Sequence, residues 1–222
     1  MPQTQIKINM KRSLFISFAV LLFASCGPKI YQSASFDNAL TKHKTVAILP
    51  AEVSISLRPN EAKKMTPEQM EENARKTGYD IQDKMVSWFL RRSDKMNYTV
   101  TFQDLNKTNS KLKEAGIAYN DLKNKDRAEL AKILGVDAVI QGRMKMEKPM
   151  SDGAAVAVGV LLGAWGSTNN VETTININDG KTGDLLWKYD YSASGSLGSS
   201  TTKLVDALMR NASKKFPYKA SE

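Results

Sequence analysis

The feature that most constrains this chain is a short apolar run near its N-terminus, which sets the first residues apart from any later fold. Three basic residues precede Ser13–Ala24, a stretch of twelve residues that carries no charge. A helix that stays in a membrane needs about 20 apolar residues, so this run is too short. A basic segment followed by such a run is typical of a secretory signal peptide. We therefore expect residues 1–25 to be removed, with either Met1 or Met10 as the start.

Cys26 follows directly and is the only cysteine of the chain. A disulfide within one molecule is therefore excluded, and a free exported thiol would be unusual. Phe23-Ala24-Ser25-Cys26 resembles the bacterial lipobox, although Phe23 stands where an aliphatic residue is usual. The resemblance implies lipid on the Cys26 sulfur and a further acyl chain, such as palmitate, on its amine; more than one chain anchors a protein firmly. The alternatives are a plain signal peptide with an incidental cysteine, or a buried N-terminal helix.

The residues after the cysteine bear on the membrane to which the lipid attaches. Gly27 stands where an aspartate is associated with retention in the inner membrane, and the acidic run associated with surface export is also absent. We therefore expect lipid anchoring in the outer membrane, with the domain facing the periplasm. The sequence leaves the exposed leaflet open.

The net charge of the mature chain limits the classes of partner that it could bind. Residues 1–25 contain three basic residues and no acidic one, so their removal lowers the formal net charge from +9 to +6 and leaves 197 residues, enough for one domain. Basic and acidic residues alternate, as in 123–129, which is typical of a solvated lysine-rich surface. Contact with anionic lipid or glycan is the alternative. Nucleic acid does not belong to the expected compartment.

Hydrophobic periodicity predicts the elements of that domain. Residues 26–43 are polar and mixed, and we expect them to form a tether from the lipid to a domain at 44–218. Strands are predicted at 44–57, 98–102, 136–146, 171–177 and 185–193, helices at 66–92, 126–134 and 200–216, and a short helix or loop at 106–116. The order β-α-β-α-β-β-β-α predicts an α/β (α+β) fold, a mixed β-sheet flanked by helices that lie mainly on one face.

Three local patterns support these boundaries. Thr66-Pro67-Glu68-Gln69 has the residues of a capping box with proline at the first helical position. Gly135 stands where a left-handed residue ends a helix. The turn residues of 179–184 separate two alternating segments, which predicts an antiparallel hairpin.

An apolar insertion at 150–170 does not fit the alternation of helices and strands. Its centre, Gly153–Gly166, is uncharged, and Gly159 and Gly163 form a G-x-x-x-G pair that allows close helix packing. Three interpretations remain open: a short helix or loop packed on its own domain, an exposed apolar patch for self-association or a partner, and part of a membrane-inserting hairpin. The candidate contact residues are Gly153, Val156, Val158, Gly159, Leu161, Leu162, Gly163 and Trp165.

The residue types needed for catalysis are largely missing. His43 is the only histidine, and no nucleophile motif accompanies it. One histidine and one acylated cysteine do not make a metal cluster. Gly180-Lys181-Thr182 lacks the first glycine of a P-loop and is better explained as a hairpin turn. Asp137 and Asp179 lack a paired acid, so we expect no enzyme, no metal and no cofactor other than the lipid.

Three motifs carry a family resemblance. Val46–Pro50 (VAILP), Leu134–Gly142 (LGVDAVIQG) and Asp179–Trp187 (DGKTGDLLW) resemble segments of the curli-secretion lipoproteins, the TolB N-terminal domain and the activators of penicillin-binding proteins. Phe216-Pro217-Tyr218 adds a likeness to small outer-membrane lipoproteins of the GNA type. The resemblance covers about 44–218, and it implies a mixed sheet and a role as an interaction module of the cell envelope.

The leading hypothesis is therefore a non-catalytic envelope lipoprotein that binds a partner protein in an outer-membrane secretion or assembly complex. An oligomeric curli-type secretion channel subunit and an activator of a cell-wall synthase are the alternatives. The sequence does not name the partner or the oligomeric state.

Overall fold

The computed structural model describes residues 27–57, 59–147, 170–194 and 201–220, and these form one domain around a mixed β-sheet. The strands are β1 Lys29–Gln32, β2 Thr45–Ile48, β3 Glu52–Ser56, β4 Thr101–Phe102, β5 Ala138–Glu147, β6 Asn170–Asp179 and β7 Leu185–Ser194. The helices are α1 Phe36–Lys42, α2 Pro59–Ala62, α3 Pro67–Ser93, α4 Leu105–Glu114, α5 Arg127–Leu134 and α6 Thr201–Lys215, with a 3-10 turn at Tyr119–Asp121. The predicted fold class, a mixed sheet flanked by helices, is confirmed.

The strand order is β1-β7-β6-β5-β2-β4, and β3 also pairs with β5. β6 pairs antiparallel along the whole of β5, so β2 and β3 must share the opposite side of that strand. They pair with it in parallel, β2 at Ala138–Ile140 and β3 at Arg143–Glu147. The predicted strand at 44–57 is therefore two strands, which separate at Leu49-Pro50-Ala51.

Helices cover both faces of the sheet, which differs from the expectation that they lie mainly on one. Side chains of α1, α3 and α6 meet one face in the larger core, and α4 and α5 meet the other in a smaller cluster around Leu130 and Leu134. The alternation of β5 explains the division, since Ile140 and Met144 point into the larger core and Val139 points into the smaller one.

The predicted helix termini of α3 and α5 are confirmed. The Thr66 hydroxyl accepts a hydrogen bond from the Gln69 N–H, and the Gln69 side chain accepts one from the Thr66 N–H. Gly135 has φ +67°, a left-handed conformation that non-glycine residues rarely adopt. Its N–H donates to the Ala131 carbonyl at 2.8 Å and so satisfies a free carbonyl at the end of α5.

The segment before the first predicted strand is folded, whereas residues 26–43 were expected to be only a tether. β1 pairs antiparallel with β7 at the edge of the sheet, with Lys29 opposite Asp190. α1 then buries Phe36, whose ring lies 5.3 Å from that of Tyr218. The four residues of β1 are all exposed, so they lack the alternating burial by which a strand is recognised in sequence.

In the described ranges, no helix is both long enough and apolar enough to cross a membrane.

Candidate functional site

The residues that the sequence marked as functional lie outside the described ranges. Cys26 precedes them, and Gly153–Gly166 falls between Glu147 and Asn170. Lipidation at Cys26 and contact through 153–166 therefore stay predictions. The described strands on either side of the insertion, β5 and β6, pair at Glu147 and Asn170.

The described part of the domain has an open strand edge at β3. β3 pairs with β5 on one side, and within the described ranges no strand of the sheet pairs with its other side. The Val53 N–H donates to the Tyr119 hydroxyl at 3.2 Å instead of to a strand, so it points away from β5. Because backbone groups two residues apart in a strand point the same way, the Ile55 N–H also faces outward. We call the outward-facing backbone groups of Glu52–Ser56 the β3 outer edge.

One cavity flanks the β3 outer edge on the side of α3. Its volume is about 270 Å³, and Ile55, Leu57, Met65 and Met70 supply its apolar wall. Methionine is flexible and adapts to apolar groups of different shape. A space below the 300–1,000 Å³ typical of small-molecule sites suits one side chain rather than a whole ligand.

A second cavity of about 270 Å³ flanks the same strand on the opposite face of the sheet, and it is polar. Glu52, Ser54, Asn120, Lys123 and Gln141 contribute to its lining. Gln141 is only 7% exposed, and its Nε2 is buried without a hydrogen-bond partner among the described residues. An unsatisfied buried donor costs about 1–3 kcal/mol, and an acceptor oxygen in the cavity would recover this energy once the Gln141 side chain turns its amide toward the cavity.

Tyr119 lines the polar cavity and holds the strand edge in place. Its hydroxyl accepts from the Val53 N–H and donates to the Ala51 carbonyl at 2.7 Å. Burial raises the pKa of Tyr119 to about 12, so the hydroxyl stays protonated and keeps its donor role at neutral pH. Gly78 of α3 makes room for this ring, since a Cβ there would lie 2.6 Å from Tyr119 Cε2.

The charges beside the polar cavity are partly balanced. Glu52 forms an ion pair with Arg143 at 2.9 Å, and the electrostatic field of the same carboxylate acts on Arg127. Burial lowers the pKa of Arg127, and the positive charge of Arg143 lowers it further, while Glu52 raises it. The Arg127 guanidinium also donates to the Leu122 carbonyl at 2.7 Å, which fixes the chain that carries Leu122 and Lys123 into the cavity wall.

A larger, more open groove of about 580 Å³ lies between α3 and α4. Arg75 and Lys113 are its two cations, and Arg75 forms two hydrogen bonds with Glu72 at 2.7 Å and lies 5.8 Å from the centre of the Tyr79 ring. The charge of Arg75 is thus already used within the protein. None of the described residues that line this groove has a buried polar side-chain atom without a partner, in contrast to Gln141 beside the β3 outer edge.

His43 lies in a buried network at the opposite end of the sheet, and the structure brings it to Asp179. Its Nε2 donates to an Asp179 oxygen at 3.1 Å, because a carboxylate only accepts. The other ring nitrogen, Nδ1, lies 2.6 Å from the Tyr218 hydroxyl, within hydrogen-bond distance. Asp137 accepts from the N–H groups of Lys44 and Thr45 at 2.8 Å. Both ring nitrogens are occupied, so the network joins the N-terminal segment, the hairpin turn and the C-terminus.

This network predicts a defined acid response. Burial alone would raise the pKa of Asp179, but hydrogen bonds from the Thr182 and Lys181 N–H groups and from His43 lower it below its ordinary value. Folding lowers the pKa of Asp179, so the ionised carboxylate stabilises the folded protein. This contribution is complete above the pKa of the unfolded chain, about 3.9, and is lost as pH falls through the pKa of the folded protein. Asp179→Asn should reduce the free energy of unfolding at neutral pH. The difference in unfolding free energy between this variant and wild type should become smaller below about pH 4. Urea unfolding across pH checks this; a gap of constant size down to the lowest pH would contradict it.

No protein-family model matches the chain, and no curated protein matches it. Solved structures with a similar fold include lipoprotein GNA1162 from Neisseria meningitidis, at 13% identity and TM-score 0.44, with 78% of this chain and 96% of that chain covered. A PelC dodecamer from Paraburkholderia phytofirmans has 12% identity and TM-score 0.43, covering 88% and 100%. The LpoB C-terminal domain from Escherichia coli has 12% identity and TM-score 0.35, covering 72% and 96%.

Lipoprotein GNA1162 is thus among the structures similar to this chain. A likeness of this size does not establish a family, a ligand or a partner for this chain.

Proposed function

We propose that this protein is a non-catalytic, lipid-anchored protein of the outer membrane that binds an extended segment of a partner protein along the β3 outer edge. Cys26 carries the lipid, and the domain faces the periplasm. The open strand edge between two cavities carries the proposal. Residues 153–166 stay a second predicted contact surface.

The geometry supports strand addition. An extended peptide that pairs with an exposed strand gains main-chain hydrogen bonds, and pockets for alternate side chains supply its specificity. The Val53 N–H also faces outward but is already bonded to Tyr119, so the Ile55 N–H is the outward donor that an added strand would meet. Successive side chains of an added strand point to opposite faces of the sheet. One of them would enter the cavity lined by Met65 and Met70, and the next would enter the polar cavity beside Gln141.

The cavities therefore specify the bound segment. An apolar side chain fits the wall of Met65 and Met70. The neighbouring side chain carries an acceptor oxygen, because Gln141 Nε2 is a buried donor without a partner among the described residues. A serine, threonine, asparagine or glutamine in the partner meets this requirement.

Ile55→Pro is expected to weaken partner binding by about tenfold or more, because it removes one outward N–H and leaves its acceptor unpaired, at about 1–3 kcal/mol. Proline is tolerated at an edge-strand position whose N–H does not face the sheet, so the domain should stay folded. Ile55→Ala keeps the N–H and shortens part of the apolar cavity wall, so it is the matched control for the side chain and should weaken binding by less than Ile55→Pro.

The measurement is photo-crosslinking in living cells from a reactive residue at exposed Ser54. We expect a discrete crosslinked product that persists with Ile55→Ala, disappears with Ile55→Pro, and is not formed from Lys181 in the distant hairpin turn. Equal crosslinking in both Ile55 variants would rule out strand addition. Thermal unfolding of each variant shows that the fold is retained.

A further inference from the structure

The proposed lipid anchor lies very close to the folded domain. Only Gly27 and Pro28 stand between Cys26 and Lys29, the first residue of β1. An extended chain spans at most about 3.6 Å per residue, so Lys29 lies within about 11 Å of the anchored residue. The domain therefore has no long tether on which to swing away from the bilayer.

The strand beside the anchor exposes apolar side chains. Ile30 is 46% exposed and Tyr31 is 52% exposed, and both belong to an edge strand that, within the described ranges, pairs only with β7. Exposed apolar residues on a strand edge favour unwanted pairing with other chains unless something covers them. Tyrosine and lysine suit a lipid headgroup region, since each has an apolar body and a polar tip.

The register of the sheet places β1 opposite the proposed binding edge. Lys29 pairs with Asp190, Asp190 with Thr174, Thr174 with Arg143, and Arg143 with Glu52. These pairs form a single row of four strand spacings across the sheet. At about 4.8 Å per spacing, β3 lies about 19 Å from β1.

We propose that β1 rests on the lipid surface through Lys29, Ile30 and Tyr31, so that the sheet stands on this edge and holds the β3 outer edge about 19 Å above it, toward the compartment. The inference rests on the proposed lipid anchor. It is independent of strand addition at β3. The exposed side chains then contact headgroups and the upper acyl chains, and Lys29 meets anionic phosphates.

The test uses the full acylated protein in vesicles of phosphatidylethanolamine and phosphatidylglycerol. Acylation consumes the only natural thiol, so Tyr31→Cys and Ser54→Cys each add one site for an environment-sensitive fluorophore. Ser54 is exposed on β3 and is the control on the opposite edge. Mass spectrometry of the mature protein verifies acylation first.

We expect the label at position 31 to shift to the blue, to lose most of its quenching by aqueous iodide, and to be quenched by a headgroup nitroxide lipid. The label at position 54 should keep the emission and the iodide quenching of a fluorophore in water. A label at 31 that stays in water on acylated protein overturns the contact and leaves the anchor intact. A protein without acyl chains overturns the anchor and this inference together. Burial of the label at 31 without vesicles, increasing with protein concentration, means that a second copy covers β1 and also overturns it.

Discussion

Gly78→Ala is expected to lower the free energy of unfolding by about 1–3 kcal/mol, the range found for overpacked cores. In an ordinary helix interior the change would stabilise, because alanine is the better helix former by about 1 kcal/mol. Here the new Cβ would lie 2.7 Å from the Tyr119 hydroxyl and would also meet the Ala51 backbone carbonyl. Backbone does not move aside as a flexible side chain does, so the clash outweighs the propensity. Chemical denaturation measures the change.

Gly116→Ala is the matched control for Gly78→Ala. A Cβ at Gly116 meets nothing within 4 Å, but its φ of +70° disfavours alanine by about 1–2 kcal/mol. The two variants lose stability for different reasons, steric at Gly78 and conformational at Gly116. Only Gly78→Ala should displace Tyr119 and so reduce crosslinking from Ser54. A Gly78→Ala protein as stable as wild type would contradict the close approach of α3 to Ala51 and Tyr119.

Phe216→Ala is expected to lower the free energy of unfolding by about 3–5 kcal/mol, as is typical of a buried phenylalanine. The ring is fully buried, with its centre 4.8 Å from that of Phe89 and 4.9 Å from that of Tyr98. Its removal leaves a cavity that these rings cannot close without moving α3. Because the free energy of unfolding of a small domain is about 5–15 kcal/mol in total, the variant should have a melting temperature far below that of wild type.

Leu90→Ala serves as the control for Phe216→Ala. Leu90 lies on α3 and is 51% exposed, so its truncation should change stability by less than about 0.5 kcal/mol. Thermal unfolding followed by circular dichroism compares the two variants. Equal melting temperatures for Phe216→Ala and Leu90→Ala would contradict the packing of the C-terminus against α3.

Sequence periodicity determined most of the elements, because burial of one face leaves a local trace. The apolar positions of α6 and the alternation of β5 depend only on nearby residues and on which side is covered. Thr66 with Gln69, and Gly135, likewise mark helix ends through hydrogen bonds and backbone angles confined to a few residues. These are short-range effects, and the sequence alone predicts them.

The open edge of β3 and the partner of His43 were decided only by tertiary structure. Glu52–Ser56 looks like any half-buried strand, and nothing local tells that β5 covers one side of it while the other stays open. Gln141 and Tyr119 come to that edge from distant parts of the chain, and Asp179 reaches His43 across 136 positions of sequence. β1 is exposed along its length, so only its pairing with β7 reveals it. Short-range patterns are thus encoded locally, whereas pairing partners and the cavities between them arise from long-range packing.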